Sequence, residues 1–270
     1  GYSNTWGKFS WESNYTLSTN RNEILSLANN VVNPETGEHF SVDLLDMNGL
    51  GTAHFLLKEG GTLGDLYSFV DLKRDETGSI YIDADGKLAT ETIGNVDRYI
   101  KLGSVLPDAN MAWRNDFRVG NFHFGFMISA RLGGIVFSRT QAMLDYYGVS
   151  EASAAARDAG TVMINGGDYV DPNVWYSAIG GGNSVPQYYT YSATNVRLQE
   201  ASIGYTIPRK KLGNLCEITL SLVGRNLWML YCKAPFDPET IATTGNFYQG
   251  IDYFMMPSLR NIGFNLRLKF

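Results

Sequence analysis

The sequence predicts an all-β fold: an antiparallel transmembrane β-barrel, of which the chain holds about nine strands. Three observations carry that expectation. Long segments alternate apolar and polar residues with period two, as in a wall that is oily on one face and wet on the other. The joins between them are alternately short and long, as in a barrel with tight turns at one rim and extended loops at the other. The resulting count is odd, whereas bacterial single-chain barrels have even strand numbers, so nine strands leave the barrel incomplete and its two edges open.

Taken in order, the first segment, 5–18, sets Phe9, Trp11, Tyr15 and Leu17 against Lys8, Ser10, Glu12, Asn14 and Thr16. Asn20-Arg21-Asn22 offers a short turn into a second strand, 23–29. A long join over about 28–61 leads to strand 62–73, and 77–90 supplies the partner that alternating directions require. In 110–119, Met111, Trp113, Phe117 and Val119 face away from Asn110, Arg114, Asp116 and Arg118. In 122–135, Phe122, Phe124, Phe126, Ile128, Ala130 and Leu132 oppose His123, Gly125, Met127, Ser129 and Arg131. Gly120-Asn121 between these two tolerates positive φ and reads as a tight hairpin.

After a long join, 136–193, strand 194–207 changes phase. Val196 and Leu198 lie on even positions, then Ala201, Ile203, Tyr205 and Ile207 on odd ones, as one extra residue near Glu200 would produce. A turn at 208–214 leads into 215–231, where Cys216, Ile218, Leu220 and Leu222 share a face until a second phase change after Gly224. The join 232–257 precedes the last strand, where Ile262, Phe264, Leu266, Leu268 and Phe270 alternate without exception with polar residues or glycine. Several segments reach the roughly 9 to 11 residues that cross a bilayer at a tilt.

Composition narrows the class. Of the 270 residues only 18% are charged and 13% are aromatic, and the net charge is −5. An acidic chain with scattered basic residues is a poor match for nucleic acid. The longest apolar run, Leu227 to Cys232, is six residues, against the roughly 18 to 20 of a transmembrane helix. Cys216 and Cys232, on the order of 50 Å apart along one strand, cannot bridge and are expected as unpaired thiols. The chain opens at Gly1 without Met or an apolar leader, so any targeting signal is expected to have been removed or to lie upstream.

Residues 195–208, from Asn195-Val196-Arg197-Leu198 to Gly204-Tyr205-Thr206-Ile207-Pro208, resemble the "YLRLKNLTLGYTLP" signature of SusC/RagA-type TonB-dependent transporters. Val223-Gly224-Arg225-Asn226-Leu227 is similar to their "xGxNL" strand and Phe236-Asp237-Pro238-Glu239 to their "YDPE". Gly250-Ile251-Asp252-Tyr253, with Pro257 and Arg260, is similar to their "GxDYxxYPxxR", and Phe264 to Phe270 to their aromatic-ended last strand. The resemblance implies that residues 1–270 are the C-terminal part of a 22-stranded barrel in the outer membrane. The N-terminal plug, the TonB-contacting segment and the other strands would lie elsewhere in the protein. It further implies import of an oligosaccharide or oligopeptide without enzymatic chemistry. TonB would act on the plug, a SusD-like surface lipoprotein would cap the mouth, and lipid would surround the wall. A small passive porin or a soluble carbohydrate-binding β-sandwich are the alternative readings.

Candidate contacts for substrate or partner are the aromatics of the long joins: Trp175, Tyr176, Tyr188 and Tyr189 in one, Phe247, Tyr248 and Tyr253 in another. Flat rings stack on sugars and anchor interfaces; they equally pack loops and form an interfacial girdle. Asp83 and Asp85, in Asp83-Ala84-Asp85-Gly86-Lys87, offer hard oxygens as in the start of a calcium loop but lack its closing Glu. The same stretch reads as a plain Asp-Gly hairpin turn, and no other cofactor is expected. Arg114, Asp116, Arg118, His123, Arg131, Arg197, Arg267 and Lys269 fall on the wet face, where they would bond the plug or line the lumen.

Overall fold

A computed structural model of the chain describes residues 1–242 and 248–270. About half of the described residues are strand. The chain starts with the hairpin β1 (Tyr2–Trp6) and β2 (Phe9–Thr19). Residues 20–108 then form a long connection that contains β3 (Leu44–Leu50), β4 (Ala53–Lys58), β5 (Asp65–Ser68) and β6 (Ile100–Ser104), paired in the order β6-β5-β4-β3. A second hairpin follows, β7 (Ala109–Val119) and β8 (Phe122–Leu132).

The next connection holds β9 (Ile135–Ser138), helices α1 (Arg139–Tyr146), α2 (Glu151–Ala159) and α3 (Pro172–Ile179), and β10 (Thr190–Ser192). Strands β11 (Asn195–Ile207) and β12 (Glu217–Cys232) come next. After a last connection with β13 (Ile251–Asp252), the chain ends in β14 (Asn261–Lys269).

Seven strands form one antiparallel sheet in the order β1-β2-β7-β8-β11-β12-β14. This wall has seven strands where the alternation predicts nine, and the difference has a local cause. Gly7, at φ +61°, turns the chain back, so the segment 5–18 is two strands and Trp6 pairs with Phe9. The join at 19–22 is therefore the start of a long connection. The segments 23–29, 62–73 and 77–90 do not enter the wall. Ala28–Val32 pairs with His39–Val42, and Val70–Leu72 pairs with Thr90–Thr92. Residues 77–89 hold only isolated bridges. In 62–73, Leu66, Val70 and Leu72 are almost wholly buried, unlike the outward rows of the wall.

The odd count survives this correction, and so does the asymmetry of the joins. Two-residue turns at 7–8 and 120–121 and the turn 208–216 lie at one end of the wall; the connections 20–108, 133–194 and 233–260 lie at the other. The predicted bulge is present. The register of β8 against β11 slips between Met127 and Ile128, leaving Gln199 unpaired, and Gln199 is also passed over in the pairing of β11 with β12. On β12 the second phase change falls at Asn226, which adopts φ +51°.

The outward face is a continuous apolar band. Register places Phe264, Leu222, Ile203, Phe124, Phe117 and Trp11 in one row across six strands. Trp11 lies parallel to Phe117 with ring centroids 6.1 Å apart. Phe264, Leu222, Ile203 and Phe124 remain exposed, Phe264 to 84%, while Phe117 and Trp11 are half-buried by their neighbours, as suits a lipid-facing surface. Polar side chains on this face bond one another, as hydrocarbon favours, although the Asn115 Nδ2 amide is buried without a hydrogen-bond partner. Trp11 donates its indole N–H to Asn115 Oδ1 at 3.0 Å, and Trp113 donates to the Ser13 hydroxyl at 3.0 Å.

The hydrophobic core lies among the long connections. Ala53, Phe55, Leu66 and Val105 from the first meet Phe137, Ala142, Ile179, Val185 and Tyr189 from the second and Ile251 from the third. Strand β9 joins them, pairing antiparallel with β10 and parallel with β13. Both cysteines are unpaired, and no described helix is long and apolar enough to cross a membrane.

Candidate functional site

The motifs that are far apart in sequence converge where the wall meets the third connection. Arg197 points inward from β11, next to the bulge, and is 3% exposed. Its guanidinium donates to both Asp237 oxygens, Nη2 to Oδ1 at 2.8 Å and Nη1 to Oδ2 at 3.1 Å. This fork geometry suits arginine and not lysine. Nε and Nη2 also donate to Asn195 Oδ1 at 3.1 Å, and Glu239 lies 3.3 Å from Nη2. Ser258 donates to Asp237, while Asn226 donates to the Ser258 hydroxyl at 2.8 Å. Asn226 reaches it from the positive-φ position that shifts the phase of β12. Burial pushes the Asp237 carboxyl up, but hydrogen bonds from Arg197, Ser258 and the Glu239 N–H outweigh it and hold the group below the usual carboxylate range.

A second anchor ties the third connection to the second. Ser138 caps α1 by accepting the Gln141 N–H at 3.0 Å and donates to Asp252 Oδ2 at 2.6 Å; both residues are buried. Thr140 Oγ1 accepts the Phe254 N–H at 2.6 Å. The long connections are therefore held as one body above the rim. Lower on the inner face, Arg114 pairs with Asp116 at 2.8 Å and reaches Glu200 at 3.6 Å, while Arg225 pairs with Glu200 at 3.1 Å.

The aromatic candidates separate into two groups. Tyr189 is 1% exposed and belongs to the core, with Trp175, Tyr176 and Tyr188 half-buried against it. Trp175 meets Tyr188 edge-on at 5.2 Å. Burial, reinforced by the nearby Asp145 carboxylate, pushes the Tyr189 hydroxyl far up and that of Tyr191 up to about 12. Tyr248 and Tyr253 are exposed; Tyr253 lies under the Arg139 guanidinium, 5.4 Å from the ring centroid. Phe247 lies outside the described residues.

Asp83 Oδ1 accepts the N–H groups of Asp85 at 3.0 Å and Lys87 at 2.7 Å, and Gly86 takes φ +74°. Asp83 and Asp85 thus form part of a turn closed by its own backbone. Among the described residues no group of three or more His, Cys, Asp or Glu side chains is placed to hold a metal. Sequence reasoning sees Arg197 and Asp237 separately and misses that they are partners. The signal was an arginine on an inner face, which needs a carboxylate once water is excluded.

An antiparallel wall, apolar on one face and charged on the other, with tight turns at one rim and a packed assembly of connections at the other, has the features of a section of barrel wall of the outer-membrane type. Within that class the chain is similar to SusC/RagA-type TonB-dependent transporters, as its motifs imply. It is 25% identical over 286 residues to TonB-dependent receptor P3 of Formosa agariphila, covering 97% of this chain and 27% of the relative. TonB-dependent receptor P26 of the same organism is 25% identical over 290 residues, with the same coverage. The chain thus spans about a quarter of the length of these relatives. Among solved structures, the RagAB peptide importer in its closed-closed state matches 99% of this chain and 28% of its own, with TM-score 0.63 and 14% identity. A further RagAB peptide transporter structure gives TM-score 0.64 at 13% identity. These likenesses show a shared fold. No family profile matches the chain.

Proposed function

We propose that the chain is the C-terminal barrel portion of an outer-membrane transporter that imports an oligosaccharide or oligopeptide in a TonB-dependent manner. The observation that carries this reading is the Arg197–Asp237 latch, in which residues of three resembling motifs meet to fix a long connection on the rim. The wall supplies the passage, and the interlocked connections supply the outer surface on which a SusD-like lipoprotein would sit. The plug and the remaining strands would complete the barrel, and TonB would draw on the plug with energy from the inner-membrane proton gradient. No covalent step is assigned to this chain. No cofactor enters the proposal, since the Asp83 turn holds its shape through backbone bonds.

The test is uptake of labelled oligosaccharides and oligopeptides by cells with and without the gene, each with TonB intact or deleted. Uptake that needs both supports the proposal, and co-purification of a surface lipoprotein supports the lid. Uptake that survives loss of TonB indicates a passive porin. Recovery of the protein in the aqueous phase after membrane fractionation indicates the soluble sandwich.

A further inference from the structure

The three helices of the second connection enclose a hollow that neither the wall nor the latch uses. It has a volume of about 270 Å³ and is lined by Asp145, Tyr146, Tyr147, Arg157, Asn173 and Tyr176. Asp145, near the end of α1, opens onto this space although it is only 5% exposed. It has no ion-pair partner among the described residues. The Gln141 side-chain amide donates to its Oδ1 at 2.9 Å, and no described group donates to Oδ2 within hydrogen-bond distance. Tyr189, whose hydroxyl pKa is raised first by burial and next by the Asp145 charge, stands nearby without a hydrogen-bond partner. A carboxylate withdrawn this far from water with one donor is costly unless further donors reach it from the hollow.

The other walls carry donors and a ring that the fold leaves equally unused. Arg157, in the last turn of α2, has no ion-pair partner among the described residues. Its place depends on Gly148, at φ +67°, where a Cβ would stand 2.9 Å from the Arg157 Nη1. Asn173, in the first turn of α3, has its Oδ1 occupied by the Ser177 hydroxyl at 3.4 Å, while its Nδ2 donates to no described group. Tyr147 is 67% exposed, and Tyr146 braces its ring edge-on at 5.2 Å.

The chemistry of these walls narrows the ligand. A carboxylate only accepts hydrogen bonds and a guanidinium only donates them, so the occupant must offer both functions at close spacing. An anion meets the Asp145 charge and a cation meets that of Arg157. A zwitterion would match the two charges but leave the Asn173 amide and the Tyr147 ring without a role. A pyranose uses all four, because its hydroxyls both donate and accept and its C–H face covers an aromatic ring. We infer that the hollow between α1, α2 and α3 is a binding site for one neutral pyranose unit of a glycan. Its hydroxyls donate to Asp145 and accept from Arg157 and Asn173, and its apolar face lies on Tyr147. The hollow is smaller than the roughly 300 Å³ at which pockets for drug-sized ligands begin, so it holds a single ring and not a longer stretch. The inference rests on the transporter reading and deepens it, selecting a neutral glycan over a peptide; Asp145 and Arg157 carry that choice.

The test uses the whole protein, purified in detergent and titrated by calorimetry and saturation-transfer NMR. The probes are the methyl glycosides of glucose, galactose, mannose and xylose, with glucuronic acid, glucosamine, alanine and trialanine for comparison. At least one neutral glycoside is expected to bind saturably, and more tightly than any charged probe. Asp145→Asn and Arg157→Ala should each weaken that binding by about tenfold. Tyr147→Ala should weaken it several-fold, whereas Tyr147→Phe, which keeps the ring, should bind as wild type does. Heat-modifiable migration on gels shows that each variant has folded, and Arg157 and Tyr147 are exposed, so their replacement leaves the core in place. Absence of binding by every neutral glycoside overturns the inference, as does glycoside binding that all the folded variants retain. Tighter binding of glucosamine, glucuronic acid, alanine or trialanine assigns the hollow to a charged ligand and likewise overturns it. TonB-dependent uptake that persists in any of these cases leaves the transporter reading intact, while uptake independent of TonB overturns that reading whatever the hollow binds.

Discussion

Arg197 and Asp237 are both almost withdrawn from water, so the worth of their pairing shows when one of them is removed. Arg197→Met leaves the Asp237 carboxylate buried without its fork of donors, a loss of about 3–5 kcal/mol. The 233–260 connection should become sensitive to added protease, and Arg197→Met with Asp237→Leu should recover part of the resistance. The pH dependence has a definite sign. The folded-state pKa of Asp237 is depressed, so its stabilisation is full at neutral pH and lost as pH falls through that depressed value. Protease sensitivity of the connection should therefore rise only below about pH 4 and no longer depend on pH in that range in Asp237→Asn. On the outward face, Trp11→Phe keeps most of the ring stack but deprives Asn115 Oδ1 of its donor. Thermal melting in detergent should show a loss of about 1–2 kcal/mol, more than for Trp6→Phe, whose indole makes no such bond.

At the level of elements, the bulge at Gln199 decides which way Arg197 points. Deleting Gln199 moves residues 195–198 by one position relative to the rest of β11, sending Arg197 toward lipid and Val196 and Leu198 inward. The deletion is expected to abolish the heat-modifiable folded form, whereas Gln199→Ala should retain it. This bulge was legible in the sequence because a phase change in a strictly alternating strand leaves a trace. The turn at Gly7 leaves a similar but weaker trace, Tyr2 and Trp6 lying on even positions and Phe9 and Trp11 on odd ones, too few residues before the glycine for the alternation to mark a separate strand. The segments placed in the wall at 62–73 and 77–90 show the limit of period two. Leu66 and Leu72 alternate well enough, but alternation says that one face is apolar, not whether lipid or other connections cover it. For the same reason Tyr189 reads as a loop aromatic open to ligand and lies in the core. Aromatic content reveals where rings are abundant; only tertiary packing tells which remain at the surface.

For the whole molecule, β1 and β14 are the two open edges of a seven-stranded wall. Unpaired edges in an apolar wall favour aggregation. Expressed alone, the 270 residues are expected to pellet from detergent extracts, and co-expression with the rest of the protein should bring them into a folded, heat-modifiable species. Sequence alternation, asymmetry of the joins and motif resemblance together pointed to an all-β antiparallel wall, and that wall is present with seven strands in place of nine. The rim latch and the core above it were hidden because they join residues from connections with no common periodicity.

The core shared by the three connections also bears on the order of biogenesis. Ile251 and Asp252, supplied by the last connection, complete the strand group around Phe137 and Ser138. Until the final hairpin has been threaded, this apolar interior lacks its closing piece. A chain stalled before that point would leave Phe137 and its neighbours uncovered on that side, so susceptibility of 133–194 to protease should fall only once the last connection has docked.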